Sequence, residues 1–353
     1  RHHLYYEQMK RFGFLWVCAF LPATCYGFVL PTPAKIGSMT TTSPSFQTIK
    51  PSSSTQLSSV PPEVWTNFLP PAMGFYKSEW TVSYGYGFAT SLSALSLLKR
   101  TPLTPDNPIF ALQAAALIFY GFRLNSHLFI RNRISERMQD FQKRMEERAE
   151  GRGSRWKRAP IVLSCGALYY ALYAPLLLTS MISGTGAVPD VGIKVMKMLL
   201  IAQWIGFGMG ALADATKTIV KQTKGEKTLV TSGIFSILRH PNYSGEIIGW
   251  TSNALLGLLS CAYLLRNKVT AKLIGLLGAT FIGWVGILFV LLGATKSLER
   301  RQKEDYGDTT EYKEWVDATW SGWVLPDASN EVATPDPEIT PDDETEEDAG
   351  SGI

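Results

Sequence analysis

The sequence is poor in charged residues and in the residue types that build metal and disulfide sites. Only 18% of its 353 residues are charged, below the roughly 25% of a typical soluble domain. The four cysteines and four histidines show no spacing typical of a disulfide framework or of metal ligands. These shortages argue against a soluble globular domain, a disulfide scaffold and a metal site.

Apolar residues are abundant instead, and they fall in blocks. They make up 46% of the chain, and six blocks approach the roughly 20 residues that a helix needs to cross a bilayer. Because spanning backbone must satisfy its own hydrogen bonds, we expect each block to be a helix. The predicted fold of residues 76–325 is all-α, a polytopic transmembrane helical bundle of about six spans. The six segments are Thr81–Leu98, Pro108–Phe122, Ile161–Ser183, Ile193–Ala213, Glu246–Leu265 and Lys272–Gly293.

Positive charge is concentrated in two loops of this bundle. Residues 326–353 hold ten acidic and no basic residues, and without them the net charge rises from +4 to +14. Arg123–Arg158 has eleven basic residues against five acidic ones, and Asp214–Gly245 has five against two. The positive-inside rule places both loops and the C-terminus on one side of the membrane. Nucleic-acid binding is the competing interpretation of the charge, but no DNA- or RNA-binding motif accompanies it.

The first basic loop contains an amphipathic stretch. Ile134, Met138, Phe141 and Met145 recur at helical spacing, with charged residues between them. Two interpretations stay open, a helix lying on an anionic membrane surface or a simple extension of the preceding helix.

Residues 1–30 have the composition of a leader. Met9-Lys10-Arg11 is a short basic region, and Phe12–Leu21 is an apolar run too short for a comfortable span. A signal peptide is therefore predicted, with an N-terminal anchor helix as the alternative.

The next stretch, residues 31–75, is predicted to be a disordered transit or linker segment. Ser38–Pro62 is rich in Ser, Thr and Pro and has no acidic residue. Together with Phe28, this resembles the bipartite plastid leaders of algae with secondary plastids. Insertion into the endoplasmic reticulum membrane is the alternative. The acidic residues 326–353 are predicted to be a disordered extension.

The stretch from Gly233 to Trp250 concentrates polar residues at the mouth of an apolar helix. Pro241 suits a first helical position, and Glu246 lies within the membrane segment, where an acid is costly and normally faces a cavity or a partner. Arg239 and His240 precede the helix start, where backbone N–H groups favour anions, so they form a candidate phosphate clamp. Binding of lipid headgroups by Arg239, with Glu246 as its partner, is the other interpretation.

This stretch resembles the C-terminal domain of the steroid 5-alpha-reductase family, and closely its bacterial and algal branch. That branch carries Gly-[Leu/Ile]-[Phe/Trp], Arg-His-Pro-Asn-Tyr-x-Gly-Glu and then Trp, and the resemblance covers about Pro108 to Pro326. The residues here that carry it are Gly233-Ile-Phe, Arg239 through Glu246, Trp250, Asp214 with Lys217, Leu298-Glu299, Gly307-Asp308 and Tyr312.

The resemblance implies an NADPH-dependent reductase of a carbon–carbon double bond conjugated to a carbonyl, acting on a sterol- or isoprenoid-like substrate. Tyr120-Gly-Phe-Arg123 matches a Tyr-x-x-Arg of steroid reductases, so Tyr120 is the implied donor to the carbonyl oxygen. Glu246 is the second residue implied to take part in catalysis. An interfacial anchor is the alternative role for Tyr120. The implied cofactor contacts are Arg123, Asp214, Lys217, Arg239, His240, Asn242, Tyr243 and Glu299.

Two rival functions share part of this pattern. Isoprenylcysteine carboxyl and phospholipid N-methyltransferases also carry Arg-His-Pro-x-Tyr-x-Gly in a membrane bundle and use S-adenosylmethionine. Asn242 before Tyr243 and Glu246 after Gly245 favour the reductase. The methyltransferases usually carry paired Glu residues after the tyrosine loop, whereas here Glu299 is followed by Arg300. A non-catalytic membrane protein is the third reading. A GxGxxG fingerprint is absent from the sequence, so a Rossmann site is not expected.

Overall fold

The computed structural model describes residues 62–102, 108–182 and 188–323, and in these residues the secondary structure is helical, with no named strand. The predicted leader and acidic tail lie outside the described residues. The helices are α1 Pro62–Phe68, α2 Tyr84–Arg100, α3 Pro108–Ile134, α4 Glu136–Glu150, α5 Ala159–Ile182, α6 Asp190–Lys224, α7 Pro241–Asn267, α8 Ala271–Tyr306 and α9 Thr310–Ala318.

Five of these helices, α3 and α5 to α8, are long and apolar enough to cross a membrane. The predicted all-α membrane bundle is confirmed, and the protein is an integral membrane protein. The second apolar segment does continue past Phe122, as span length required, because α3 runs to Ile134. The first segment becomes α2, which at 17 residues is shorter than the five others.

The predicted linker boundary at residue 75 was wrong. Residues Pro62–Phe68 form a helix and Pro70–Phe75 a 3-10 turn, and both belong to the bundle. The Phe68 ring packs so closely on Gly166 of α5 that a side chain there would collide with it. An ion pair of 2.7 Å joins Glu63 to Arg100 at the end of α2. The aromatic and apolar side chains of this short segment give it a surface to bury.

Glycines bring α6 and α7 into direct backbone contact. A Cβ on Gly206 would stand 2.6 Å from the Gly245 carbonyl oxygen, and a Cβ on Gly245 would collide with the backbone of Gly206 and Gly210. Small residues allow such close approach of helices in membranes. Gly245, a member of the sequence motif, therefore sets the distance between the two helices.

A cluster of three buried amides ties α3, α6 and α7 together deep in the bundle. Gln113 and Gln203 donate to the Asn253 side-chain oxygen at 2.9 and 3.3 Å, and Asn253 donates to the Leu172 carbonyl oxygen at 3.1 Å. All three amides are almost fully buried. Unpaired amides would be costly in an apolar interior, so this cluster favours one arrangement of the helices.

The basic ends of the helices meet on one side of the bundle. Ser135 caps α4 by accepting from the Met138 N–H at 3.2 Å, so the amphipathic stretch is a separate helix and not an extension of α3. The first residues of α4 reach the ends of two other helices, since Arg137 contacts Glu226 and Asp305, each at 3.3 Å. The two basic loops and the end of α8 therefore lie on the same side, as the charge distribution predicted.

Candidate functional site

The segment before α7 is held in place by the chain that follows α9. The Arg239 N–H donates to the Trp320 carbonyl oxygen at 2.9 Å, and the Trp320 N–H donates to the Ile237 carbonyl oxygen at 3.1 Å. The segment starts with Gly233, whose φ of 64° favours glycine. It ends at Pro241, the first residue of α7, as predicted. Arg239 and His240 are thereby fixed at the helix start.

Arg239 and His240 share one carboxylate on α8. Glu299 lies 3.3 Å from Arg239 Nε and 2.8 Å from His240 Nε2. His240 is only 1% exposed, and its burial lowers the pKa of the imidazole below the ordinary value of 6.5, while the hydrogen bond to Glu299 opposes that shift. Part of the positive charge expected to clamp a phosphate is thus already balanced inside the protein.

Arg123 is the centre of a second buried charge cluster. Its guanidinium pairs with Asp214 of α6 at 2.5 Å and with Glu246 of α7 at 3.2 Å. The Tyr120 hydroxyl donates to the other oxygen of Glu246 at 2.7 Å. A Cβ on Gly210 would lie 2.9 Å from the Arg123 guanidinium, so glycine at this position leaves room for the cation.

Further cations gather beside this cluster on the basic side. Lys217 lies within electrostatic range of Arg131, Lys221 and Arg301, which come from α3, α6 and α8. Asp214, already paired with Arg123, is the acid in the same group. Arg131 also lies near Tyr243. Several like charges in one place repel one another, so the arrangement is stabilised when an anion lies among them.

Several buried polar atoms of the predicted site have no hydrogen-bond partner among the described residues. They are Arg123 Nε, Arg239 Nε, His240 Nδ1 and Asn242 Oδ1. Buried polar groups are normally hydrogen-bonded, and exceptions call for an explanation. Arg123 Nε is a donor that suits an anionic ligand. Arg239 Nε already faces Glu299 at 3.3 Å, and His240 Nδ1 is the acceptor atom of a neutral ring whose Nε2 donates to Glu299.

An aromatic cluster packs directly beneath Tyr120 and Glu246. Tyr120, Phe207 and Trp250 are at most 1% exposed, and Tyr86 of α2 is 9% exposed. The Tyr120 ring centroid lies 4.6 Å from Phe207, 5.1 Å from Trp250 and 5.6 Å from Tyr86. The charged cluster therefore borders an apolar, aromatic interior.

The structure brings most of the sequence-predicted site residues together. One contact network consists of Tyr120, Arg123, Asp214 and Glu246, and another of Arg239, His240 and Glu299. Lys217 lies on the same helix as Asp214, and Asn242 and Tyr243 lie on the same helix as Glu246.

Three members of the site were missed. His127 Nε2 lies 3.9 Å from Asp214, and Arg131 belongs to the cation group. Helical spacing could have found both, since Arg123, His127 and Arg131 are four residues apart and so share one face of α3. Tyr86 was missed as well, and no sequence signal singled it out.

Fold and site together define an integral membrane helical bundle with a buried charged site at its basic end. Residues 85–319 match the model of a family described as a protein of unknown function, DUF1295. The match covers more than half of the chain, so the protein belongs to this family. No curated protein and no solved structure matches the chain.

Proposed function

We propose that the protein is a membrane-embedded reductase that uses NADPH to reduce a carbon–carbon double bond conjugated to a carbonyl in a lipophilic substrate. The observation that carries this proposal is the group of cations around Lys217, which lies beside a buried Tyr120–Glu246 pair and an aromatic interior. Residues suited to a water-soluble anion therefore lie next to an interior suited to an apolar substrate.

The residues present fit an NADPH molecule. Its pyrophosphate and 2′-phosphate need several fixed cations, and Arg and Lys side chains supply them. Lys217, Arg131 and Arg301 are the cations proposed for the phosphates, with Arg239 as a further cation at the helix start and the neutral His240 ring beside it. Asn242 Oδ1 is buried and unpaired among the described residues, so it suits a ribose hydroxyl or the carboxamide N–H.

When bound, the nicotinamide would supply a hydride to the β-carbon of the substrate, and a proton from solvent would complete the reduction at the α-carbon. The chain's own part is to bind and orient both molecules and to exclude water. Arg123 fixes the Glu246 carboxylate by an ion pair. Glu246 in turn orients Tyr120 by accepting a hydrogen bond from its hydroxyl. The aromatic cluster makes the substrate side apolar.

The motif's resemblance to the steroid 5-alpha-reductase C-terminal domain is the second support for this function. The alternative is a methyltransferase that binds S-adenosylmethionine, a cationic cofactor with no phosphate. A group of like cations disfavours such a ligand, so the Lys217 region favours the reductase. A sterol- or isoprenoid-like substrate, and a plastid or endoplasmic reticulum membrane as the location, belong to the same proposal.

Thermal unfolding of the detergent-purified protein tests the choice of cofactor. A ligand that binds the native state raises the melting temperature, so we expect NADPH to do so and S-adenosylmethionine to have no effect. A shift with S-adenosylmethionine alone would establish the methyltransferase alternative. No shift with either would favour a non-catalytic protein.

A further inference from the structure

The Tyr120 hydroxyl is not free to act on a substrate. It donates a hydrogen bond of 2.7 Å to one oxygen of Glu246, and Arg123 pairs with the other oxygen of that carboxylate. The Arg123 guanidinium also lies over the Tyr120 ring, 5.0 Å from its centroid. A carbonyl oxygen that required the Tyr120 proton would have to displace a charge-assisted hydrogen bond, which is stronger than a neutral one.

Two other buried donors near Tyr120 are unpaired. The Tyr86 hydroxyl lies close to both the Tyr120 hydroxyl and the Trp250 indole, but neither Tyr86 Oη nor Trp250 Nε1 has a hydrogen-bond partner in good geometry among the described residues. The Tyr86 and Trp250 rings stack with centroids 5.9 Å apart. The Tyr86 ring also stacks with Tyr169, with centroids 5.3 Å apart.

An unpaired O–H and an unpaired N–H in an apolar interior are costly, and an acceptor oxygen would satisfy both. A carbonyl oxygen has two lone pairs and no proton, so it can accept from two donors at once. A carboxylate would also accept, but Glu246 lies beside the site and would repel it. The chemistry of the pair therefore selects a neutral acceptor.

We propose that Tyr86 and Trp250 bind the carbonyl oxygen of the lipophilic substrate, and that Tyr120 is a positioning residue that aligns Glu246 and supports Tyr86. This proposal rests on the proposed reductase function, whose substrate carries such a carbonyl. It assigns recognition of the substrate to α2 and α7, outside the Tyr120-to-Arg123 motif.

Binding of trans-chalcone, a conjugated ketone, tests the proposal when compared with 1,3-diphenylpropene, which lacks the carbonyl. Both are titrated into the detergent-purified full chain without NADPH, and the absorption of chalcone reports hydrogen bonding to its carbonyl as a shift to longer wavelength. We expect chalcone to bind more tightly than the hydrocarbon and to show the shift. Tyr86→Phe and Trp250→Phe should each weaken chalcone about fivefold to tenfold, the loss of one hydrogen bond, and reduce the shift.

The matched control is Tyr173→Phe, which removes another buried tyrosine hydroxyl without a partner among the described residues. We expect it to leave chalcone binding unchanged. Equal binding of the two probes, no binding of chalcone, or equal effects of Tyr86→Phe and Tyr173→Phe would overturn the proposal. So would loss of the absorption shift in Tyr120→Phe with its retention in Tyr86→Phe.

The NADPH thermal shift of the same variants separates this proposal from the proposed function. We expect Tyr86→Phe to keep that shift while it loses chalcone. If chalcone behaves as expected but NADPH never stabilises the wild-type protein, the carbonyl site stands and the reductase assignment fails. If NADPH stabilises every variant and chalcone binding ignores Tyr86, the reductase assignment stands and the carbonyl site fails.

Discussion

Replacing Arg123 by methionine removes a cation that joins two buried carboxylates, Asp214 and Glu246. Methionine keeps a similar length of side chain, so the change is mainly one of charge and hydrogen bonding. In the wild-type protein the Arg123 side chain is 9% exposed, and those of Asp214 and Glu246 are each 12% exposed. The variant leaves two negative charges close together and poorly solvated.

The expected cost follows from this burial. Breaking a buried ion pair by removing one partner destabilises a protein by about 3–5 kcal/mol, because the remaining charge is left uncompensated. We expect a loss within this range, since Glu246 loses its ion-pair partner, whereas Asp214 keeps His127 and Lys217 nearby. The Arg137–Asp305 pair, whose side chains are 58% and 43% exposed, should contribute only about 0–1 kcal/mol. Arg137→Met is therefore the matched control.

Unfolding in mixed micelles of increasing SDS content measures how much free energy of unfolding Arg123→Met and Arg137→Met each lose. Neutralising the carboxylates as well, in the triple variant Arg123→Met, Asp214→Asn, Glu246→Gln, should restore a substantial part of the loss. If Arg123→Met costs no more than Arg137→Met, the reasoning that makes Arg123 the centre of the site is refuted. No recovery in the triple variant would show that the loss comes from packing and not from charge.

Three further predictions concern other buried polar groups. Asn253→Leu leaves Gln113 and Gln203 without their shared acceptor and should cost about 1–3 kcal/mol in the same SDS assay, a result contradicted by unchanged stability. Burial lowers the pKa of His240, so the folded state favours the neutral ring, and stability should fall as the pH drops below about 6.5. The melting temperature of His240→Asn should therefore decline less between pH 7.5 and 5.5, and an identical decline would argue against this. Burial raises the pKa of Glu79 to about 7, so its protonated form is favoured by folding and its contribution is lost as the pH rises towards 8. Glu79→Gln should raise the melting temperature at pH 8 and not at pH 5, and the reverse order would refute the assignment.

The membrane helices could be predicted because their cause is local. A run of apolar residues must form a helix in a bilayer whatever its neighbours are, and the continuation of α3 past Phe122 followed from the length that a span requires. The prediction failed at the start of the bundle. The segment around Trp65 and Phe68 was assigned to a linker because it follows a Ser/Thr-rich stretch, although its own aromatic residues pack on the bundle.

The site was predictable in its membership and not in its pairing. The resemblance to the steroid 5-alpha-reductase family implied Tyr120 and Arg123, and the cost of an acid within a membrane segment singled out Glu246. Which cation meets which acid depends on how the helices are rotated and how closely α6 and α7 approach, and that distance is set by Gly206 and Gly245. The sequence assigned Arg239 to a phosphate, whereas in the structure Arg239 pairs with Glu299.

The most direct test of the account is the ratio of NADPH to NADH affinity in the wild-type protein and in Lys217→Met, measured by fluorescence titration of the nicotinamide. Lys224→Met, an exposed change at the end of the same helix, is the control. If the cations around Lys217 hold the 2′-phosphate, the wild type and the control prefer NADPH by about tenfold or more, and Lys217→Met loses most of that preference. Equal affinity of the wild-type protein for the two nucleotides, or a preference that survives Lys217→Met unchanged, would contradict the account.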